Sequence, residues 1–187
     1  MIRALVVIVA ALVAAGEVAA ASFTLSEADK RAAMQVGERS TTSEDFDREW
    51  RVSGDGGEVT VLTPFHRLAV AARHAAFKNE SLEPPAVERE INKDAGRLIV
   101  WVSLRGRSQT FARHYAPRLV QGTREIRPAF VQNERTALTQ DDGAYLARCV
   151  YAFPVRDLDG RDPVTLIVAD VEGRDVSRFT IDLASMR

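Results

Sequence analysis

Apolar side chains are spaced in three ways along this chain. Residues 4–15 form an unbroken apolar run of twelve. Between about residues 63 and 93 apolar positions recur mainly every three or four residues, and from Leu98 onward they alternate or run together over short segments. The second regime predicts helices. Ser26 stands as an N-cap before EADKRAAMQVGER, and Thr63-Pro64 places a cap before a proline at the first helical position. Phe65, Leu68, Ala69, Ala72 and Ala76 then share one helical face to about Lys78. Pro84-Pro85 opens a further helix that Ala95-Gly96 ends. Strand patterns occur at 49–53 and 58–62, around the turn Gly54-Asp-Gly-Gly57, and at 98–104, 126–131, 146–153, 164–169 and 176–183. Pro128 lacks a ladder donor and assigns 126–131 to an edge or a bulge.

About seven strands, with a helical pair between the second and third, predict an α+β chain that is mainly an antiparallel β-sandwich with an N-terminal helix. One antiparallel sheet with helices on a single face is the alternative. The expected division is 1–21 as a signal peptide, 22–47 as helix and connector, and 48–187 as a single β-rich domain with a helical insertion at 64–95.

The opening run has the form of an export leader. Arg3 supplies the positive start, the apolar stretch follows, and Ala19-Ala20-Ala21 offers small side chains for cleavage after Ala21. Twelve apolar residues are too few for a bilayer core, which takes about 20, and Glu17 blocks any extension. The expected address is periplasmic or secreted, with no stable membrane anchor after cleavage.

Composition narrows the function classes. The formal net charge of −1 gives no electrostatic footprint for nucleic acid or anionic lipid. Lysine occurs only at 30, 78 and 93, and the excess of arginine reads as genomic composition, not chemistry. Cys149 is the single cysteine, so no internal disulfide can form, and its parity with Tyr145, Ala147, Tyr151 and Phe153 reads as a small buried hydrophobe.

No motif calls for a cofactor, a metal or a catalytic group. His66 and His74 are eight apart on the predicted helix, about 80° round it, which is not a metal-ligand spacing; with Arg67 and Arg73 they read as its polar flank. Asp157-Leu-Asp-Gly-Arg-Asp162 resembles half a calcium loop, but its glycine comes fourth, before the third acid, Arg161 neutralises part of the charge and Pro163 follows, so it reads as a solvated turn. There is no nucleophile elbow and no phosphate loop.

The most unusual stretch is 104–135, where seven arginines are interleaved with aromatics. Arg105, Arg107, Phe111, Arg113, His114 and Tyr115 are the candidate binding residues, since arginine beside aromatics suits a partner surface. The bland alternative is a connection whose arginines pair with acids elsewhere. From about Phe111 onward, Arg-Pro-Ala-Phe-Val-Gln-Asn-Glu-Arg, Ala-Arg-Cys-Val-Tyr-Ala-Phe-Pro and the closing strand resemble uncharacterised exported bacterial proteins. That resemblance implies an exported β-rich chain and no activity. The expected function is binding of an envelope protein or glycan; a small exported hydrolase using a carboxylate or a histidine from the 64–78 helix is the alternative.

Overall fold

The first predicted helix forms where its cap requires. α1 (Glu27–Arg39) starts at Ser26, whose hydroxyl accepts from the Asp29 N–H while the Asp29 carboxylate accepts from the Ser26 N–H. This reciprocal box occupies amides that a helix start leaves without partners. The computed structural model describes residues 23–187; the predicted leader and its cleavage point lie outside them. A 3-10 turn at Arg48–Trp50 leads into β1 (Arg51–Gly54) and β2 (Gly57–Leu62). α2 (Pro64–Phe77) begins at Thr63, whose hydroxyl accepts from the His66 N–H, and α3 (Pro84–Asn92) follows. Then come β3 (Arg97–Gly106), β4 (Ala116–Gln121), β5 (Arg124–Ile126), β6 (Phe130–Gln132), β7 (Leu138–Thr139), β8 (Tyr145–Pro154), β9 (Val164–Ala169) and β10 (Asp175–Ile181).

Among the described residues, three helices and two antiparallel sheets make an α+β fold. One sheet has the order β1-β2-β3-β8-β6, with β7 also paired to β8; the other has the order β10-β9-β4-β5. Because side chains alternate along a strand, each sheet buries one parity. In the first, Leu98, Val100, Val102 and Leu104 lie opposite Phe153, Tyr151, Cys149 and Ala147, all essentially without exposure. In the second, Leu119 and Phe179 flank Leu166, and these join the same buried cluster. The cluster also takes in Leu25, Ala33 and Phe46, so the N-terminal segment shares the core of the sheets. Among the described residues no helix is long and apolar enough to cross a membrane.

Two strand expectations need correction. The described residues hold ten strands, not about seven. The expected strand at 126–131 is two strands in different sheets: β5 pairs with β4, and β6 pairs with β8. Pro128 stands between them, where a missing N–H costs no ladder bond. β4 lies inside the arginine-rich stretch, where only Pro117 and Leu119 face inward and the alternation is too short to register.

Candidate functional site

The six arginine-loop candidates do not form one surface. Arg105 is ion-paired with Asp142. Phe111 and Tyr115 are half-buried against the core, their rings in edge contact at 5.8 Å. Phe111 lies so close to Gly106 that any Cβ there would come within 2.3 Å of its ring, which is why the strand ends on glycine. Burial also pushes the Tyr115 hydroxyl above its ordinary range. Arg107, Arg113 and His114 are exposed and make no side-chain ion pair among the described residues. Further along, Arg118 pairs with Asp175 at 2.8 Å, and Arg124 donates to the Asp157 carbonyl. The stretch is thus divided between structural arginines and a small exposed group.

A groove of about 890 Å³ lies elsewhere, over the outward face of the first sheet. Its floor follows from register. Arg51, Thr60 and Trp101 are aligned across β1, β2 and β3, while Leu62, Ile99, Ala152 and Phe130 are aligned across β2, β3, β8 and β6. These residues have the parity opposite to the core. Trp101 is 54% exposed and Phe130 46% exposed, although both stand on a strand face half roofed by helices. One wall is the stripe Arg67, Val70, Ala71 and His74 of α2; the other comes from Glu90, Lys93 and Asp94 at the end of α3. None of the six arginine-loop candidates lines it.

An ion cluster fixes the join of the two helices. Arg67 is nearly buried, pairs with Asp94 at 3.1 Å and donates to the Glu90 carbonyl. Asp94 also accepts from Arg97 at 3.0 Å. A carboxylate gripped by two guanidinium groups holds the α3–β3 corner in place.

His66 contradicts its reading as part of a polar flank. It is 4% exposed, because the connector before β1 folds over it. Trp50 lies 4.5 Å from its ring, Phe46 6.1 Å, and Nε2–H donates to Asp47 Oδ1 at 3.0 Å. Nδ1 is buried and has no hydrogen-bond partner. With one nitrogen on Asp47 and the other closed off, the ring offers no free base to a substrate. Burial pushes its pKa below the ordinary 6.5, outweighing the Asp47 carboxylate, which acts in the opposite sense. The folded state therefore holds the ring neutral where the unfolded chain takes up a proton. Stability should be fully present above about pH 6.5 and decline as pH falls below it. His66→Gln, which keeps a donor near Asp47, should flatten urea midpoints between about pH 7.5 and 5 relative to wild type. Equal pH slopes for the two proteins would refute it.

The remaining candidates resolve into structure. Cys149 is in the core, and burial raises its thiol pKa. Beside it, Tyr151 Oη–H donates to Asn133 Oδ1 at 3.0 Å, and Asn133 Nδ2–H donates to the Tyr115 carbonyl at 2.8 Å, which ties the strand to the loop. In the 157–162 turn, Gln121 donates to the carbonyls of Asp159 and Asp162, and the Asp159 carboxylate accepts from the Arg161 N–H. Among the described residues no three His, Cys, Asp or Glu side chains converge as a metal site.

Fold and groove together define, among the described residues, a β-rich fold with a large aromatic-floored cleft. No protein-family model and no curated protein matches the sequence.

Proposed function

We propose that this chain is an exported β-sandwich module that binds a saccharide chain of the bacterial envelope in the groove beside α2 and α3. The observation that carries the reading is Trp101. A large apolar ring on a strand normally turns inward, yet this one is half-exposed on a concave face, rimmed by charged side chains with hydrogen-bonding capacity. A pyranose ring has an apolar C–H face and a polar edge, and it matches such a site on both counts. Export rests on the leader-like N-terminus. A protein partner is the second reading, favoured by exposed Arg107, Arg113 and His114 at the other end of β3. Hydrolysis has less support, because the histidine that has an acid partner is enclosed on both nitrogens.

Trp50 is fully enclosed, so fluorescence open to iodide quenching reports Trp101. Short soluble oligosaccharides, neutral and acidic, should shield that signal saturably, and Trp101→Ala should weaken binding by about tenfold or more when measured by titration calorimetry. If none of the oligosaccharides alters the Trp101 signal of the folded protein, the saccharide reading fails.

A further inference from the structure

We infer that the saccharide this groove selects is acidic, with carboxylates that meet Arg51, Lys93 and Arg97 while sugar faces lie on Trp101 and Phe130. The inference rests on the saccharide reading above and narrows it to a chemical class. Its basis is how the groove's charges are layered. Four cationic side chains, Arg51, Arg67, Lys93 and Arg97, stand against three carboxylates, Asp47, Glu90 and Asp94. The excess is small, but the two signs are not equally presented. The side chains of Arg51 and Arg97 are 49% and 43% exposed, whereas those of Asp47 and Asp94 are 30% and 23% exposed. Lys93 is exposed and has no ion pair among the described residues, and Glu90 is half-buried. Arg67 is withdrawn into the wall by Asp94. At the α3–β3 corner an entering ligand therefore meets Lys93 and Arg97 before the less exposed Asp94, while Arg51 is shared with Asp47 at 3.4 Å and with the comparably exposed Glu58 at 4.0 Å.

The spacing suits a chain and not a single sugar. Trp101 and Phe130 share the outward face, with β8 between their strands and Phe130 two residues from the partner of Val150. At about 4.8 Å between strands and 3.3 Å per residue, the two rings stand about 12 Å apart. Arg51 lies two strands from Trp101 on the other side, about 10 Å away, and Arg97 lies four residues along β3, about 13 Å away. Two stacking surfaces flanked by cations at these intervals fit a few linked sugar units that bear repeated carboxylates. An acidic peptide would find the same charges, but two flat half-exposed rings at chain spacing favour sugar faces.

Titrations of the full chain, followed through Trp101 fluorescence at low and high salt, test this with three probes: a short uronate oligosaccharide, its carboxyl-reduced neutral counterpart and oligo-glutamate. The uronate should bind about tenfold or more tightly than the neutral counterpart, with the difference shrinking in salt. Lys93→Glu, at an exposed side chain without an ion pair among the described residues, should reduce that preference, and Lys93→Glu/Arg97→Glu should remove it. Circular dichroism checks that each variant is folded. Equal affinity for the uronate and its neutral counterpart would overturn the acidic preference and leave the saccharide reading intact. Binding of oligo-glutamate without either saccharide would overturn both, as would no binding of any probe.

Discussion

Trp50→Ala should reduce the free energy of unfolding by about 4 kcal/mol, within the range found when a large buried aromatic is truncated. Trp50 has no exposed surface and is the centre of an aromatic cluster, with Phe46 at 5.8 Å, Phe65 at 6.4 Å and the His66 ring at 4.5 Å. Its indole Nε1–H donates to the Arg187 carbonyl at 3.1 Å, and the Thr63 hydroxyl donates to the same oxygen. The Arg187 guanidinium lies over Phe65 and pairs with Glu49 at 2.8 Å. One side chain thus joins the connector, the start of α2 and the last residues of the chain. The hydrogen bond is the smaller part of its contribution. Trp50→Phe keeps an apolar ring and should cost only about 1–2 kcal/mol, reflecting one net hydrogen bond and the lost volume. Since domains of this kind are stable by about 5–15 kcal/mol, the alanine variant should unfold at a much lower urea concentration. A midpoint for Trp50→Ala equal to that of Trp50→Phe would mean that the cavity collapses and that the cluster is not the keystone described.

The core was legible in the sequence because its signal is local. Leu98, Val100, Val102 and Leu104 announce a buried face by parity alone, and β9 shows itself as a short run apolar on both faces. The capped starts at Ser26 and Thr63-Pro64 were equally local. What could not be read depended on residues far apart in the chain. Pro128 marks a break, but that the chain changes sheets there follows from which strands have free edges. His66 lies on the helix where its polarity suggests a flank, and only the return of Phe46, Asp47 and Trp50 encloses it. The groove draws on segments from Asp47 to Ala152, so no window of sequence contains it. One signal was present nonetheless: on β3 the face opposite the core reads Arg97, Ile99, Trp101, Ser103, which places a large ring where a solvated strand would place a polar group. The arginine-rich stretch attracted notice because its residues are consecutive, and several of them serve to hold the sheets together.

Gly37→Ala should also destabilise the protein, by about 2 kcal/mol, even though alanine is the better helix former. α1 crosses α2 with Gly37 buried against it. A Cβ at this position would lie 2.2 Å from the Ala69 carbonyl oxygen and 2.8 Å from both the Ala72 Cβ and the Arg73 nitrogen. Two opposing effects set the sign. Replacing a glycine in the last turn of a helix gains at most about 1 kcal/mol in helix propensity. Forcing a methyl group against helix backbone costs about 3 kcal/mol, since a carbonyl held in a helix cannot rotate aside as a side chain can. The steric term wins, and the helices must separate to relieve it. Glu38→Ala, at the exposed neighbouring position, makes a propensity change without the clash and should be nearly neutral. The separation has a functional consequence as well. Residues Ala69, Ala72 and Arg73 contact α1, while Arg67, Val70, Ala71 and His74 on the other side of α2 wall the groove, so pushing α2 away from α1 moves that wall toward the sheet. Gly37→Ala should therefore weaken oligosaccharide binding, which titration of the folded variant would read. A Gly37→Ala protein as stable as wild type would show that the helices do not meet at this distance.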